Sequence, residues 1–200
     1  MKHHQPPAEL VLGLPRGGVI VAAGVAKALH LPLDVLIVRK IGHPRYREFA
    51  VGALAEGGVV LLDEEIIARH PLPRAELDDV IAEEKQRLER YRATFHRPGL
   101  GNPADKSVLL VDDGLATGAT TEAAVWSARQ QHARRVTVAA PVASTNAVER
   151  LQGVADEVIA LLVDPDFDAV GRYYEVFAQT TDEEVLQSLQ MAQDLAAPRQ

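Results

Sequence analysis

The sequence predicts an α/β fold: an open, mainly parallel sheet flanked by helices. Three observations predict it. Short apolar runs alternate with helical stretches, beginning with residues 10–14, 19–29 and 33–38, an interval typical of parallel βα units. Hydrophobic residues make up 47% of the chain and aromatic ones only 4%. The core must therefore be Ala, Val, Ile and Leu, a mixture suited to parallel strands covered on both faces. Two Gly-bearing turns follow apolar runs directly, at Pro15-Arg16-Gly17-Gly18 and Asp112-Asp113-Gly114. Open parallel sheets bind ligands at such strand ends.

Each element follows from its residues. Residues 10–14 form a short apolar strand, and Pro15-Arg16-Gly17-Gly18 ends it. Residues 19–29 read as an Ala- and Val-rich helix, and 33–38 as a strand that is apolar except for Asp34. Residues 41–48 are polar and basic and read as a loop. Strands are expected over 49–54 and 59–62, joined as a hairpin because the Gly57-Gly58 pair favours tight reversal. Residues 73–95 read as one long inserted helix with Leu77, Ile81, Leu88, Tyr91 and Phe95 near one face. Glu83 and Arg87, four apart, can pair on the other face. Residues 97–106 contain Pro, Gly and Asn and read as a surface connection. Strands over 108–111, 135–140 and 157–163 alternate with helices over 122–131 and 145–151. Residues 164–174 are irregular, and Thr181 or Asp182 can cap a last helix that ends near residue 195. The architecture is thus one domain over residues 1–200 with a long inserted helix.

Composition narrows the function. The net charge of -7 argues against a general nucleic-acid binder. Without Cys there is no disulfide framework, thiol nucleophile or Cys-based zinc site. No apolar run approaches the ~18 residues of a membrane span. The start, Met1-Lys2-His3-His4-Gln5-Pro6-Pro7, has no signal-peptide core, so a cytoplasmic location is expected.

Residues 108–121 carry most of the chemistry. Val108-Leu109-Leu110-Val111 reads as a buried strand that ends at Asp112 and Asp113. A small turn with Thr117, Gly118, Thr120 and Thr121 follows and enters a helix. Such a turn offers backbone N–H groups and a positive dipole end to a phosphate. The carboxylates suit hydroxyl donors or a divalent cation. The plain alternative is a strand-to-helix turn with an Asp pair at its cap. The arrangement resembles the 5-phosphoribosyl-1-diphosphate (PRPP) motif of the type I phosphoribosyltransferases: apolar strand, two acids, three residues, then Thr-Gly-x-Thr. Thr117-Gly118-Ala119-Thr120 matches that loop.

Leu14-Pro15-Arg16-Gly17-Gly18 is not a dinucleotide fingerprint, and no G-K-[ST] follows, so a P-loop ATPase is disfavoured. Its Arg16 can fork two hydrogen bonds onto a phosphate. The type I enzymes have a similar loop that holds diphosphate. Arg39, Lys40, Arg45 and Arg47 place four cations in nine residues without an acid. A basic segment beside a phosphate site suits an anionic substrate, although Arg45 and Arg47 fit a solvated turn equally well. Val38-Arg39-Lys40-Ile41-Gly42 resembles the strand end and mobile-loop start of adenine phosphoribosyltransferases. Glu56 is similar to the glutamate beyond that loop, though a lone Glu in such a turn is more often simply exposed.

The resemblance implies specific roles. The loop Ala116, Thr117, Gly118, Ala119, Thr120 and Thr121 would hold the 5-phosphate. Asp112 and Asp113 would hold the ribose hydroxyls, directly or through Mg²⁺. Arg16, Gly17 and Gly18 would receive the diphosphate, Arg39 and Lys40 would offset its growing charge, and residues 42–48 would act as the lid. Ala116 stands where hypoxanthine and guanine enzymes carry Asp, which argues against that specificity. The partners implied are PRPP and a small-molecule acceptor, with no nucleic acid or membrane and a homodimer as a possible assembly. Phe167, Tyr173 and Tyr174 suit either a planar acceptor or packing, with packing expected given so few aromatics.

Leu12-Gly13-Leu14-Pro15-Arg16-Gly17-Gly18, Val38-Arg39-Lys40 and residues 167–174 together look like a bacterial group of phosphoribosyltransferases without an assigned substrate. Those proteins usually carry a helix before the first strand. Only nine residues precede Leu10, so either the chain is shortened or its hood is smaller. Two other readings compete. One is a PRPP- or nucleotide-binding regulator on the same fold. The other is a phosphohydrolase, which is disfavoured because its D-x-D pattern is absent.

Overall fold

The computed structural model describes residues 8–69, 72–96 and 101–196. Numbered in chain order, the main sheet contains β1 (Leu10–Gly13), β2 (Leu33–Val35), β6 (Ser107–Val111), β7 (Arg135–Ser144) and β8 (Glu157–Asp164). Its order is β2-β1-β6-β7-β8, and every pairing is parallel. The helices are α1 (Gly17–Leu29), α2 (Glu64–Arg69), α3 (Arg74–Phe95), α4 (Ala119–Gln130), α5 (Thr145–Gln152) and α6 (Asp182–Ala196). The parallel α/β architecture is the expected one.

Alternation along the strands divides the core. Leu10 and Leu12 join Leu110, Ala123 and Ala124 on one face of the sheet. Val11 joins Val19, Val35, Leu109 and Val111 on the other. Successive side chains leave opposite faces of a strand, so Leu10 and Leu12 supply one hydrophobic layer and Val11 the other. Helix α1 lies against β1 and α6, whereas α4 lies against β6 and β7.

A second sheet of β3 (Val38–His43), β4 (Tyr46–Ala55) and β5 (Val59–Leu62) is antiparallel, in the order β3-β4-β5. The expected reversal about Glu56-Gly57-Gly58 is present, with Gly57 and Gly58 at φ 75° and 83°. Two expectations are corrected. The strand read over 33–38 ends at Val35, and Val38 opens the second sheet. Residues 41–48 are not a loop, because β3 and β4 pair from Val38↔Ala55 to His43↔Tyr46. The lid expected over 42–48 is therefore a strand pair. Gly42 is required at its bulge, since a Cβ there would lie 2.3 Å from the Arg47 carbonyl oxygen.

Helix α3 buries Leu77, Ile81, Leu88 and Phe95 as expected, together with Val80, and packs on β3 and β4. The expected Glu83–Arg87 pair is replaced. Glu83 binds Arg47 at 2.9 Å, and Arg87 binds Glu84 at 2.5 Å. Strand β7 runs past its expected end at 140 to Ser144. Pro141 does not break it, because the β7–β8 register steps from Ala140↔Ala160 to Val142↔Leu162. Proline, which cannot donate, is tolerated at such unpaired positions. Part of the connection expected over 97–106 lies outside the described residues.

The topology fixes where a ligand can bind. The chain crosses from β1 outward to β2 and from β6 outward to β7. The crevice between diverging connections is the usual ligand position of an open α/β sheet, and here it lies at the carboxyl ends of β1 and β6.

Candidate active site

Both candidate loops leave the sheet at one height. Gly13 is in register with Val111, and the Leu14 N–H donates to the Val111 oxygen at 2.9 Å. The first loop turns into α1 at Gly17. A Cβ on Gly17 would sit 1.9 Å from Asp113 Oδ2, and one on Gly18 would sit 2.8 Å from the Val111 oxygen. The sequence reading assigned these glycines to ligand approach. In the structure their nearest neighbours are the acid pair and the strand end that carries it.

The carboxylates are tightly held. Asp112 Oδ1 accepts the Asp113 N–H at 2.9 Å, and Asp112 Oδ2 accepts the Thr121 hydroxyl at 3.2 Å. Burial, followed by the neighbouring Asp113 charge, pushes the Asp112 carboxyl well above the usual carboxylate range. Burial also raises Asp113. Asp113 keeps a route outward, since it lines a cavity of about 510 Å³ with Arg16 and Gly17. Arg16 faces Asp182 at 3.5 Å, and this acid at the start of α6 carried no functional signal in the sequence.

The threonine loop is anchored from below. The Leu115 N–H donates to the Val142 oxygen at 2.9 Å, and the Ser144 N–H donates to the Leu115 oxygen at 2.9 Å. Ser144 also donates its hydroxyl to the Ala116 oxygen at 2.6 Å, while its Oγ accepts the Ala147 N–H at 3.0 Å as the cap of α5. Gly118 takes φ 74° at the start of α4, a left-handed conformation that favours glycine. Ala116 and Thr117 are exposed, Ala119 and Thr120 are half-buried, and Gly118 is buried in the turn. Thr121 is buried and its hydroxyl is committed to Asp112, so its side chain orients an acid.

The expected residues gather at one sheet edge but open onto three neighbouring hollows. Pro15, Arg39, Lys40 and Thr120 share a cavity of about 540 Å³ with Glu84 and Arg87. Thr117 and Ala119 face Gly52, Leu61 and Arg150 of a smaller hollow, about 140 Å³. The basic segment is also less free than its sequence suggested. Arg39 Nε lies 2.9 Å from Glu84 Oε2, with its guanidinium 5.3 Å from the Tyr91 ring centre. Lys40 Nζ donates to the Glu48 oxygen at 3.0 Å, and Arg45 pairs with Glu76 at 3.1 Å. Helix α3 supplies most of the acids that the local sequence lacks.

Sequence reasoning missed a second cluster. Glu56 is buried, not exposed. Its Oε1 accepts the Ile37 N–H at 2.6 Å and lies 2.8 Å from His96 Nε2, while His96 Nδ1 lies 3.1 Å from Asp34 Oδ2. Burial alone would lower the histidine, but the two carboxylates outweigh it and raise His96 to about 9. The only local signal was the acid at 34 inside an apolar strand. Phe167 and Tyr173 pack as expected, their rings stacked 5.4 Å apart, and the Tyr173 hydroxyl donates to Asp164 at 2.7 Å.

The chain is similar to known proteins over most of its length. The phosphoribosyl transferase domain family matches residues 4–171. This chain belongs to that family. It is 44% identical over 189 residues to Rv0571c of Mycobacterium tuberculosis H37Rv and to MT0597 of strain CDC 1551, both provisionally named phosphoribosyl transferases. Those alignments take in 92% of this chain but 42% of each relative, so the chain spans under half the length of the curated proteins it matches. The crystal structure of TT1426 from Thermus thermophilus superposes with a TM-score of 0.72 at 47% identity, covering 92% of this chain and 87% of that one. Among the described residues no helix is long and apolar enough to cross a membrane.

Proposed function

We propose that this chain transfers the 5-phosphoribosyl group of PRPP to a nitrogen acceptor, with diphosphate as co-product. The observation that carries the reading is the Asp113 carboxylate lying against Gly17, which joins a hydroxyl-binding acid to the loop suited to diphosphate. In the reaction the bond from ribose C1 to the diphosphate oxygen breaks and its electron pair leaves with diphosphate. The acceptor nitrogen forms the new bond to C1. Positive charge develops on the ribose and negative charge on the leaving group, and a site accelerates the step by stabilising both in place.

Each residue has a part in this reading. The backbone from Ala116 to Thr120, at the positive end of α4, holds the 5-phosphate with the Thr117 and Thr120 hydroxyls. Asp113 accepts from the ribose hydroxyls, and Asp112, fixed by Thr121, sets its position. Arg16 exchanges Asp182 for the diphosphate. Arg39 and Lys40 face the same anion from the strand pair and release part of their hold on Glu84 and Glu48.

Mg²⁺ fits this donor set in a particular way. Among the described residues no three acids or histidines form a cage for a metal. Mg²⁺ is commonly held by one or two carboxylates plus substrate phosphates, and Asp112 and Asp113 supply such a pair, through water or ribose. When bound, it would neutralise diphosphate charge.

The test is calorimetric titration with PRPP and Mg²⁺, followed by an assay for released diphosphate. Asp113→Asn should keep the fold and lower turnover by at least about 100-fold. Thr117→Val should weaken PRPP binding by roughly 1 kcal/mol, the usual worth of one hydrogen bond. Wild-type protein that ignores PRPP would sink the reading. PRPP binding without turnover across acceptors would favour the regulator instead.

A further inference from the structure

We propose that the arginine cluster of α3, formed by Arg87, Arg90 and Tyr91 with Arg39 of β3, is a second anion site, and that its occupant is a phosphate group. The site stands apart from the phosphoribosyl-transfer reading, and only its effect on PRPP rests on that reading. The four side chains line a hollow of about 230 Å³. It is separate from the larger cavity in which Arg39 and Arg87 meet Lys40 and Thr120. A hollow of this size lies below the range of drug-sized ligands, so it suits one phosphate or the phosphoryl end of a larger molecule.

The cluster is built around a buried acid. Glu84, Arg87 and Tyr91, three and four apart in the chain, share one face of α3. The Glu84 side chain is only 6% exposed. Its Oε2 accepts Arg39 Nε at 2.9 Å, and its Oε1 accepts a terminal nitrogen of Arg87 at 2.5 Å. One of these cations balances the buried carboxylate, and the other is surplus. Glu84 also fixes both guanidiniums, and each keeps N–H donors that the acid does not take.

Arg90 adds a cation with no acid of its own. Its Nε donates to the Gln86 oxygen at 3.4 Å, and among the described residues no carboxylate pairs with it. The neighbouring acids are engaged elsewhere, Glu83 with Arg47 and Glu89 with Arg92. Three guanidiniums therefore face one carboxylate, inside a chain whose net charge is -7. Tyr91 completes the wall. Its ring stacks on Phe95 with centres 5.3 Å apart and carries the Arg39 guanidinium 5.3 Å from its centre. Its hydroxyl has no hydrogen-bond partner among the described residues and can donate to an oxyanion. Planar guanidinium forks match phosphate oxygens in pairs, which favours phosphate over a monatomic anion.

Arg39 links this hollow to the candidate active site. It lines both cavities and cannot serve two anions fully at once. A phosphate held against α3 draws Arg39 from the diphosphate. Occupancy thus weakens PRPP binding, and PRPP weakens phosphate binding by the same factor.

The test is calorimetry of wild type, Arg90→Ala, Arg90→Lys, Tyr91→Phe and Thr117→Val with inorganic phosphate and with AMP, in about 0.15 M chloride to screen diffuse attraction. Wild type should bind, and Arg90→Ala should weaken binding at least about tenfold, the scale of one charge-assisted hydrogen bond. Arg90→Lys, which keeps the charge without the fork, should retain part of the affinity. Tyr91→Phe, which keeps the stack on Phe95, should weaken it about threefold. Thr117→Val should leave it within about twofold. Tighter binding of AMP than of phosphate, lost in Arg90→Ala, identifies a nucleotide end, and equal binding identifies the free ion; both support the site. With phosphate at about ten times its Kd, PRPP affinity should fall at least about fivefold in wild type and less than about twofold in Arg90→Ala. Silence toward both probes overturns the proposal, as does binding that Arg90→Ala leaves unchanged or that only Thr117→Val removes. Equal weakening of PRPP in both proteins overturns the link through Arg39. If phosphate binds through Arg90 while PRPP does not bind, this site stands and the transfer reading falls.

Discussion

Gly17 and Asp113 show how little room the site leaves at the scale of single residues. A methyl on Gly17 would overlap the Asp113 carboxylate at 1.9 Å, so Gly17→Ala must turn that carboxylate away. The expected result is a folded protein, destabilised by about 1–2 kcal/mol, whose turnover falls at least tenfold; thermal melts and steady-state assays check both. His96 makes a different prediction. Its folded value of about 9 lies above the ordinary 6.5. A raised value means the charged form stabilises the fold fully below pH 6.5 and loses that contribution as pH rises toward 9. At about 1.4 kcal/mol per unit the contribution is at most about 3.5 kcal/mol. Denaturant midpoints should fall across that window in wild type and stay flatter in His96→Gln. Neither the Asp34–His96–Glu56 cluster nor the Arg16–Asp182 contact was legible in the sequence. Residues 62, 40 and 166 positions apart, as these pairs are, leave no periodicity or spacing to read.

Elements carry the site by anchoring its loops. Ser144 both caps α5 and holds the Ala116 oxygen. Ser144→Ala should cost about 1 kcal/mol through the lost cap, and it should also loosen the phosphate loop. A few-fold loss of PRPP affinity beside the stability loss would separate the second role from the first. The strand pair β3–β4 shows why element reading failed in one place. Gly42, Pro44 and three arginines at 39, 45 and 47 look like a loop when only neighbours in the chain are considered. The long helix α3 then offers Glu76, Glu83 and Glu84 to those arginines, and a basic segment becomes an ordered ribbon. By contrast, the helix entered from the threonine turn was legible because its apolar period and its turn lie within one stretch of chain.

At the scale of the whole molecule, strand order creates the crevice, and on the proposed reading ligand binding should stabilise the fold around it. PRPP would bind at loops leaving β1 and β6, two adjacent inner strands of the main sheet, so binding couples to global unfolding. At about 100 times its Kd, PRPP should add about 2.7 kcal/mol, raising the melting temperature by roughly 5–10 °C for a chain of this size. Asp113→Asn should show a smaller rise at the same concentration. The curated relatives extend well beyond the matched region, since this chain covers 42% of their length. Activity of the longer proteins is therefore to be compared with that of this chain directly.

By itself the sequence determined the alternation of strand and helix, the parallel sheet and the two loops at its edge. Those features are local, because hydrophobic period, turn residues and helix entry are each written within about a dozen neighbouring positions. Only the tertiary structure decided the partners: Asp182 for Arg16, Glu84 for Arg39, Asp113 for Gly17. Those contacts join segments that meet only after the chain has packed, and a charge or ring acquires its role from what then stands opposite it.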